Sequence, residues 1–338
     1  MRYLLTLVYF FCVTSQLLAQ TGLPRAFDFV NLSPSARVTA LGGIQVTESA
    51  PDSIAMLTPS LWLVNPASNR EKNGQHVSLS YQPYYADVDM ATLSYSRSLD
   101  EQGSWGLAVQ FLSYGELDSY DLTGQSLGTF SSQEYAFVFN RSHQMGPFRL
   151  GLNAKYVASA LGGYQASALL FDLGGTYQHP NKDLSISLSF SHIGLLLNDY
   201  TSFTKSRLPA DLRLGVAFKP RYMPFRFYLT AYRWLNQTDA YFTNNNEMPG
   251  YVNKVLRHLN LGGELILGNN FSFLIGYNHL RSNTLQLEEF RGGAGLSFGL
   301  SLRLRSMQLD FSRTIYHVVG GVSHFTLTAD LDKIILKR

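Results

Sequence analysis

Residues 184–191 read Leu-Ser-Ile-Ser-Leu-Ser-Phe-Ser. Leu184, Ile186, Leu188 and Phe190 alternate strictly with Ser185, Ser187, Ser189 and Ser191. Successive side chains of a strand point to opposite faces, so this segment has one oily face and one hydroxyl face. The pattern recurs in Phe148, Leu150, Leu152 and Ala154 against Arg149, Gly151, Asn153 and Lys155. It recurs in Leu212, Leu214, Val216 and Phe218 against Arg213, Gly215, Ala217 and Lys219, and in Leu296, Phe298, Leu300 and Leu302 against Ser297, Gly299, Ser301 and Arg303. A soluble sandwich also alternates. A membrane barrel alternates because lipid lies outside and a polar lumen inside.

Working outward, the same rhythm predicts strands near 75–82, 89–97, 103–114, 133–142, 148–158, 167–179, 184–193, 211–219, 225–235, 257–267, 271–280, 289–304, 307–316 and 323–332. That is fourteen, an even number, and many have the roughly 9–11 residues that cross a bilayer. The connections separate the two folds. Every second one is short: 98–102, 143–147, 180–183, 220–224, 268–270 and 305–306, with turn formers such as Pro147, Pro180, Asn181, Gly268 and Asn269. Connections 115–132, 194–210 and 236–256 on the other side are far longer. Outer-membrane barrels sort their loops this way, with short periplasmic turns and long outer loops. The expected fold is all-β: a 14-stranded antiparallel transmembrane β-barrel over residues 75–338.

Composition agrees. Only 15% of the 338 residues are charged while 45% are hydrophobic; soluble chains carry about 25% charge. No stretch beyond the N-terminus approaches the roughly 20 apolar residues of a membrane helix. The net charge of +3 comes without a basic run, so nucleic acid is not an expected partner. Arg2, the apolar run Tyr3 to Val13 and Ala19 read as a secretory signal peptide over 1–19, cleaved before Gln20. Cys12 is the sole cysteine and follows Phe11, where lipid attachment wants a small residue. The mature chain therefore has no disulfide framework.

Residues 20–74 break the strand rhythm. They hold Pro24, Pro34, Pro51, Pro59 and Pro66, yet also Phe27, Phe29, Val30, Leu41, Ile44, Leu57, Leu61 and Trp62. That apolar content argues against a disordered tail. A plug filling the lumen is expected, with short helices near 33–41 and 52–64. At the other end the chain closes Asp332-Lys333-Ile334-Ile335-Leu336-Lys337-Arg338, with Phe325 at the start of the last strand. Many barrels end on an aromatic residue, so the tail here either extends or folds back.

Catalytic readings fail on context. Gly295-Leu296-Ser297-Phe298-Gly299 matches a nucleophile elbow, but that motif needs a strand-to-helix turn, and Ser297 lies inside an alternating strand. The eight histidines have no metal-ligand spacing; His76, His192 and His324 fall on or at the ends of strands. Glu288 and Glu289, and Asp118 and Asp121, lie in loops, where solvated charge is the plainer reading; calcium wants 6–8 oxygens. Neither an enzyme, a metal site nor a cofactor is expected.

The run Leu32-Ser33-Pro34-Ser35-Ala36-Arg37-Val38-Thr39-Ala40-Leu41-Gly42-Gly43, with Asn65-Pro66-Ala67 and Leu208-Pro209-Ala210, resembles the PorV/PorQ family of type IX secretion system outer-membrane proteins. These are FadL-like barrels. Length and the early Pro-Ser-Ala-Arg run are more similar to the PorQ branch than to the PorV branch. The resemblance spans the mature chain and implies a binding role: holding a PorZ-like surface protein, and through it the PorU sortase and PorV, where cargo is joined to outer-membrane lipopolysaccharide. It implies that Pro34, Ser35, Ala36, Arg37, Gly42, Gly43, Asn65, Pro66 and Ala67 are structural plug residues. Arg37 is expected to pair with a luminal acid, Asp172, Glu264 or Asp310. Tyr114, Tyr120, Phe130, Tyr200, Phe203, Tyr241, Phe242 and Tyr251 lie in or beside the long loops and are candidate partner anchors, or members of the interfacial aromatic girdle. The alternative function is FadL-type transport of hydrophobic compounds, which needs an apolar pocket near the plug.

Overall fold

A computed structural model describes residues 25–48, 58–70, 74–99, 103–203, 205–235, 250–285, 293–317 and 320–335. The signal peptide reading therefore lies outside the described residues. Fourteen strands form: β1 Gln75–Pro83, β2 Asp89–Ser98, β3 Ser104–Tyr120, β4 Ser126–Met145, β5 Phe148–Leu161, β6 Tyr164–Gln178, β7 Leu184–Asn198, β8 Asp211–Phe218, β9 Phe225–Ala231, β10 Leu259–Leu267, β11 Phe271–Asn278, β12 Leu296–Leu304, β13 Met307–His317 and β14 Gly320–Asp330. Each pairs antiparallel with its sequence neighbours, and β1 closes on β14 from His76↔Asp330 to Tyr81↔Phe325.

Burial is inverted relative to a soluble domain. In β7, Leu188 is 50% exposed while Ser189 is fully buried. In β12, Leu296, Phe298, Leu300 and Leu302 face out, and Ser297 and Ser301 face in. Soluble monomers rarely expose a contiguous apolar patch above a few hundred Å²; here the apolar band runs around the whole barrel. Lipid makes that surface stable, and closure leaves no unpaired edge in it.

The short connections fall at one end, periplasmic by the general rule. At the other end the expected loop 115–132 is a correction. β3 runs on to Tyr120 and β4 starts at Ser126, paired from Glu116↔Ser131 to Tyr120↔Ser126. Ser, Gly and acids masked the strand signal, but the ladder propagates past them once its base is paired. Only 121–125 turns, organised by Asp121, whose Oδ1 accepts from Thr123 N at 2.8 Å and Gln125 N at 2.8 Å. At roughly 3.4 Å per residue, β3 is about 55 Å long. Tilted about 40° it spans about 40 Å, well beyond the roughly 25 Å apolar band. The hairpin stands clear of the membrane. β7 likewise continues past 193 to Asn198.

β12 begins at Leu296 rather than 289, and 289–292 lie outside the described residues. The tail folds back: after β14 a helix, Leu331–Ile335, places Asp332 Oδ2 to accept from Gln75 N at 2.8 Å, across the β1–β14 seam.

Within the lumen lie residues 25–48 and 58–70. They contain helix α1 (Ala36–Ala40) and 3-10 turns at Asp28–Asn31, Pro59–Leu63 and Pro66–Ser68. The expected helix near 33–41 is α1; of 52–64 only the 3-10 turn at Pro59–Leu63 lies within the described residues. Phe27, Phe29, Val30, Trp62 and Leu63 pack with Met90, Leu112, Val138, Val157 and Leu170 of the wall. Ala40 and Leu41 pack with Ala217, Tyr228 and Leu274.

Candidate functional site

An irregular plug in a barrel has a problem: its backbone polar groups are buried without a ladder, and such groups must be paired. The inward polar positions of the strands supply the partners. Asn153 Nδ2 donates to Trp62 O at 2.9 Å, Ser189 Oγ to Val64 O at 3.1 Å, Asn140 Nδ2 to Pro66 O at 3.1 Å and Arg149 Nη1 to Ala67 O at 3.0 Å. Ser142 Oγ donates to Asn69 O. Asn65 turns its own segment, accepting from Ala67 N at 3.1 Å, and donates to Val46 O at 2.8 Å.

The other half of the plug is held by charge. Arg37 Nη2 meets Glu264 Oε1 at 2.7 Å, and Glu264 also binds Arg226 at 3.2 Å and the Tyr228 hydroxyl at 2.9 Å. Arg226 reaches Asp183 at 2.7 Å. Burial alone would lower the pKa of Arg37; the Glu264 carboxylate outweighs it and holds the guanidinium well above its usual range. Of the three acids considered, Glu264 takes Arg37. Asp172 sits on another wall, with Lys155 at 2.7 Å and His192 N at 2.8 Å. Asp310 accepts from Gln308 at 2.9 Å. Next to Arg37, Ala36 N donates to Thr326 Oγ1 at 2.9 Å, and Pro34 and Ser35 are buried beside it. Gly42 and Gly43 take φ of +96° and +89°, backbone that favours glycine. Asn260 Nδ2 donates to Leu41 O at 2.8 Å.

Wall glycines let this plug close in. A Cβ on Gly151 would strike the Pro66 carbonyl, one on Gly174 the Asn65 side chain, and one on Gly276 the backbone of Leu41 and Gly42. From sequence, Arg149, Gly151 and Asn153 are marked only as the polar face of their strand, and Asn140, Asn260, Gly174 and Gly276 are not marked at all. The signal was available: each is a polar or small residue at the inward phase of an alternating strand.

The aromatic candidates do not form one surface. Tyr114 and Tyr200 turn inward: their hydroxyls donate to Glu134 and Ser159, each at 2.7 Å, and Tyr200 stacks on Phe27 at 6.4 Å. Tyr120 and Phe130 are exposed on the raised hairpin with Leu117, Leu122 and Leu127. Phe203 is exposed in the β7–β8 loop, and Tyr251 on helix α2 (Tyr251–Leu256). Tyr241 and Phe242 lie outside the described residues, as do Glu288 and Glu289. Ser297 is buried in β12 and accepts from Thr314 Oγ1 at 3.0 Å, an ordinary luminal contact.

Above the plug, at the long-connection end, lies a chamber of about 310 Å³ whose lining includes Arg25, Asp28, Asp211, Arg213, Arg233 and Arg281.

No family model matches the chain, and no curated protein matches it. Solved structures do. The Pseudomonas putida toluene transporter TodX superposes with a TM-score of 0.51 at 13% identity, covering 91% of this chain and 98% of that one. A Pseudomonas aeruginosa FadL homologue superposes at 0.48 and 10% identity, covering 85% and all (100%) of the two chains. At such identity the likeness is one of fold. The chain forms a closed fourteen-stranded antiparallel β-barrel, and its likeness to TodX is one of that fold.

Proposed function

We propose that this protein is an outer-membrane component of the type IX secretion system, a member of the PorV/PorQ family on its PorQ branch. In this reading it is not an enzyme. It anchors a PorZ-like surface protein, and through it the PorU sortase and PorV, beside the lipopolysaccharide to which cargo is joined.

The observation that carries the reading is the β3–β4 hairpin. It rises past the apolar band and holds Leu117, Tyr120, Leu122, Leu127 and Phe130 exposed where water, not lipid, would meet them. Apolar and aromatic side chains on a rigid protrusion suit a protein partner. The lumen offers less to a substrate. Its plug is pinned on both sides, and six charged side chains stand in the lining of the chamber above it.

The test is mild-detergent purification from outer membranes with co-purifying proteins identified by mass spectrometry. Recovery of a PorZ-like protein, and its loss from the surface of a deletion strain, is the expected result. Recovery of the barrel alone, carrying a bound hydrophobic ligand, would favour the second reading: transport of hydrophobic compounds, a class to which the toluene carried by the transporter TodX belongs. What supports this second reading is the shared barrel; against it, the chamber beside the plug carries four arginines and two aspartates among its lining.

A further inference from the structure

The chamber above the plug has a charge pattern that plug anchoring does not use. Four arginines and two aspartates line it. The aspartates are taken: Asp28 faces Arg25 at 3.7 Å, and Asp211 accepts from Arg213 Nε at 3.0 Å. Arg213 Nη2 also donates to Asn31 at 2.6 Å. Arg233 and Arg281 have no acidic partner among the described residues.

Both are held in place. Arg281 lies over the Tyr316 ring at 4.7 Å, which fixes the plane of its guanidinium. Its Nη1 is buried with no hydrogen-bond partner among the described residues. Arg233 sits at φ +60°, a left-handed conformation that a long side chain seldom adopts. Tyr232 beside it is buried, with its hydroxyl donating to Asn278 at 2.9 Å. Strain of this kind persists only where the surroundings over-determine it, and it gathers at ligand clamps.

Two unneutralised guanidinium groups facing one small chamber repel each other in a medium of low dielectric. A planar fork of N–H donors matches an oxyanion in a bidentate way. Hydrocarbon could contact Leu32, Ile44 and Pro209 of the lining but would strip water from the charges.

We propose that this chamber binds an oxyanion of the phosphate type, gripped by Arg233 and Arg281 and admitted from the long-connection end. Arg233 follows the end of β9, Arg281 lies in the helix after β11 (α3, His279–Leu285), and Arg213 and Tyr316 lie near the same ends of β8 and β13. The ligand is either a free phosphate-bearing solute or the head group of a lipid.

The experiment is titration calorimetry on the full mature protein in neutral detergent at low salt. One arm uses inorganic phosphate; the other uses a soluble short-chain phosphatidic acid. Binding in the first arm assigns a free solute, and binding in the second alone assigns a lipid head group. In either case the pair Arg233→Gln and Arg281→Gln weakens binding by about tenfold or more, and the pair of lysine variants keeps part of it. Heat-modifiable migration on a gel verifies that each variant is folded; Arg281→Gln alone serves if the pair is not. No heat with either probe, or wild-type affinity in the folded glutamine variant, overturns the proposal.

Discussion

Arg37 of the plug and Glu264 of β10 meet at 2.7 Å, both fully withdrawn from solvent, and Arg226 approaches the same carboxylate at 3.2 Å. Glu264 thus serves two guanidinium groups, one from the plug and one from the wall. Glu264→Gln strands Arg37, leaves Arg226 only Asp183, and is expected to cost about 3–5 kcal/mol, the usual penalty for removing one partner of a buried pair. Arg37→Met should cost less, because Arg226 and Tyr228 still hold the carboxylate. Charge reversal at Arg37 should prevent the plug from seating. Urea midpoints of heat-modifiable migration rank the three. Purely additive effects in Arg37→Met with Glu264→Gln would show that the two side chains do not act on each other.

The wall glycines allow a sharper comparison. Gly151→Ala and Gly276→Ala would push a methyl group into the plug backbone, whereas at Gly175 and Gly263 the nearest atoms are side-chain carbons at 3.6 and 3.4 Å. Overpacking against backbone costs typically about 1–3 kcal/mol. Limited proteolysis should cut the plug in the first two variants and leave it intact in the second two. Equal protection in all four would mean that the plug does not depend on this approach.

Much of this was legible in the chain because the barrel's period of two is local. Leu188 and Ser189 declare their faces without knowledge of any partner strand, and all fourteen strands follow from such pairs. What stayed hidden was non-local. Nothing near Glu116 or Thr129 marks them as strand, since their pairing is inherited from the ladder below. Asn140 and Asn153 look like any luminal polar residues until the Pro66 and Trp62 carbonyls arrive beside them. Tyr114 and Tyr200 look like loop aromatics, but Phe27 and the hydroxyl acceptors draw them inward. The chamber joins residues from the plug and from four strand ends, a combination that only closure creates.

Leu300 and Leu122 are both exposed, in different media. Leu300 lies mid-strand in β12 and Leu122 at the hairpin tip. Leu300→Arg is expected to destabilise the barrel by about 2–4 kcal/mol, the cost of a cation near the bilayer midplane. Leu122→Arg should leave stability unchanged while weakening retention of a docked surface protein. Unfolding in lipid bilayers measures the first, and co-purification the second. A stability loss at Leu122 equal to that at Leu300 would place the tip in lipid and remove the basis for docking there.

Acid should loosen the β7–β8 loop. Asp199 lies just beyond β7. Burial would raise its pKa, but hydrogen bonds from the Ser206 hydroxyl at 2.7 Å, Ser206 N at 2.6 Å and Tyr200 N at 2.8 Å outweigh it and hold the carboxyl below its usual 3.8. With the folded value depressed, the loop's contribution is fully present above the unfolded value. It is lost only as pH falls through the folded one. The protection of the Tyr200 and Ser206 amides against hydrogen exchange, relative to their intrinsic rates, should therefore persist at pH 5 and fall below about pH 3.8. Asp199→Asn should show the lower protection already at pH 7, with the barrel strands unaffected. Because Tyr200 stacks on Phe27, the same variant should also loosen the start of the plug. Unchanged protection around Phe27 would mean that loop and plug are ordered independently.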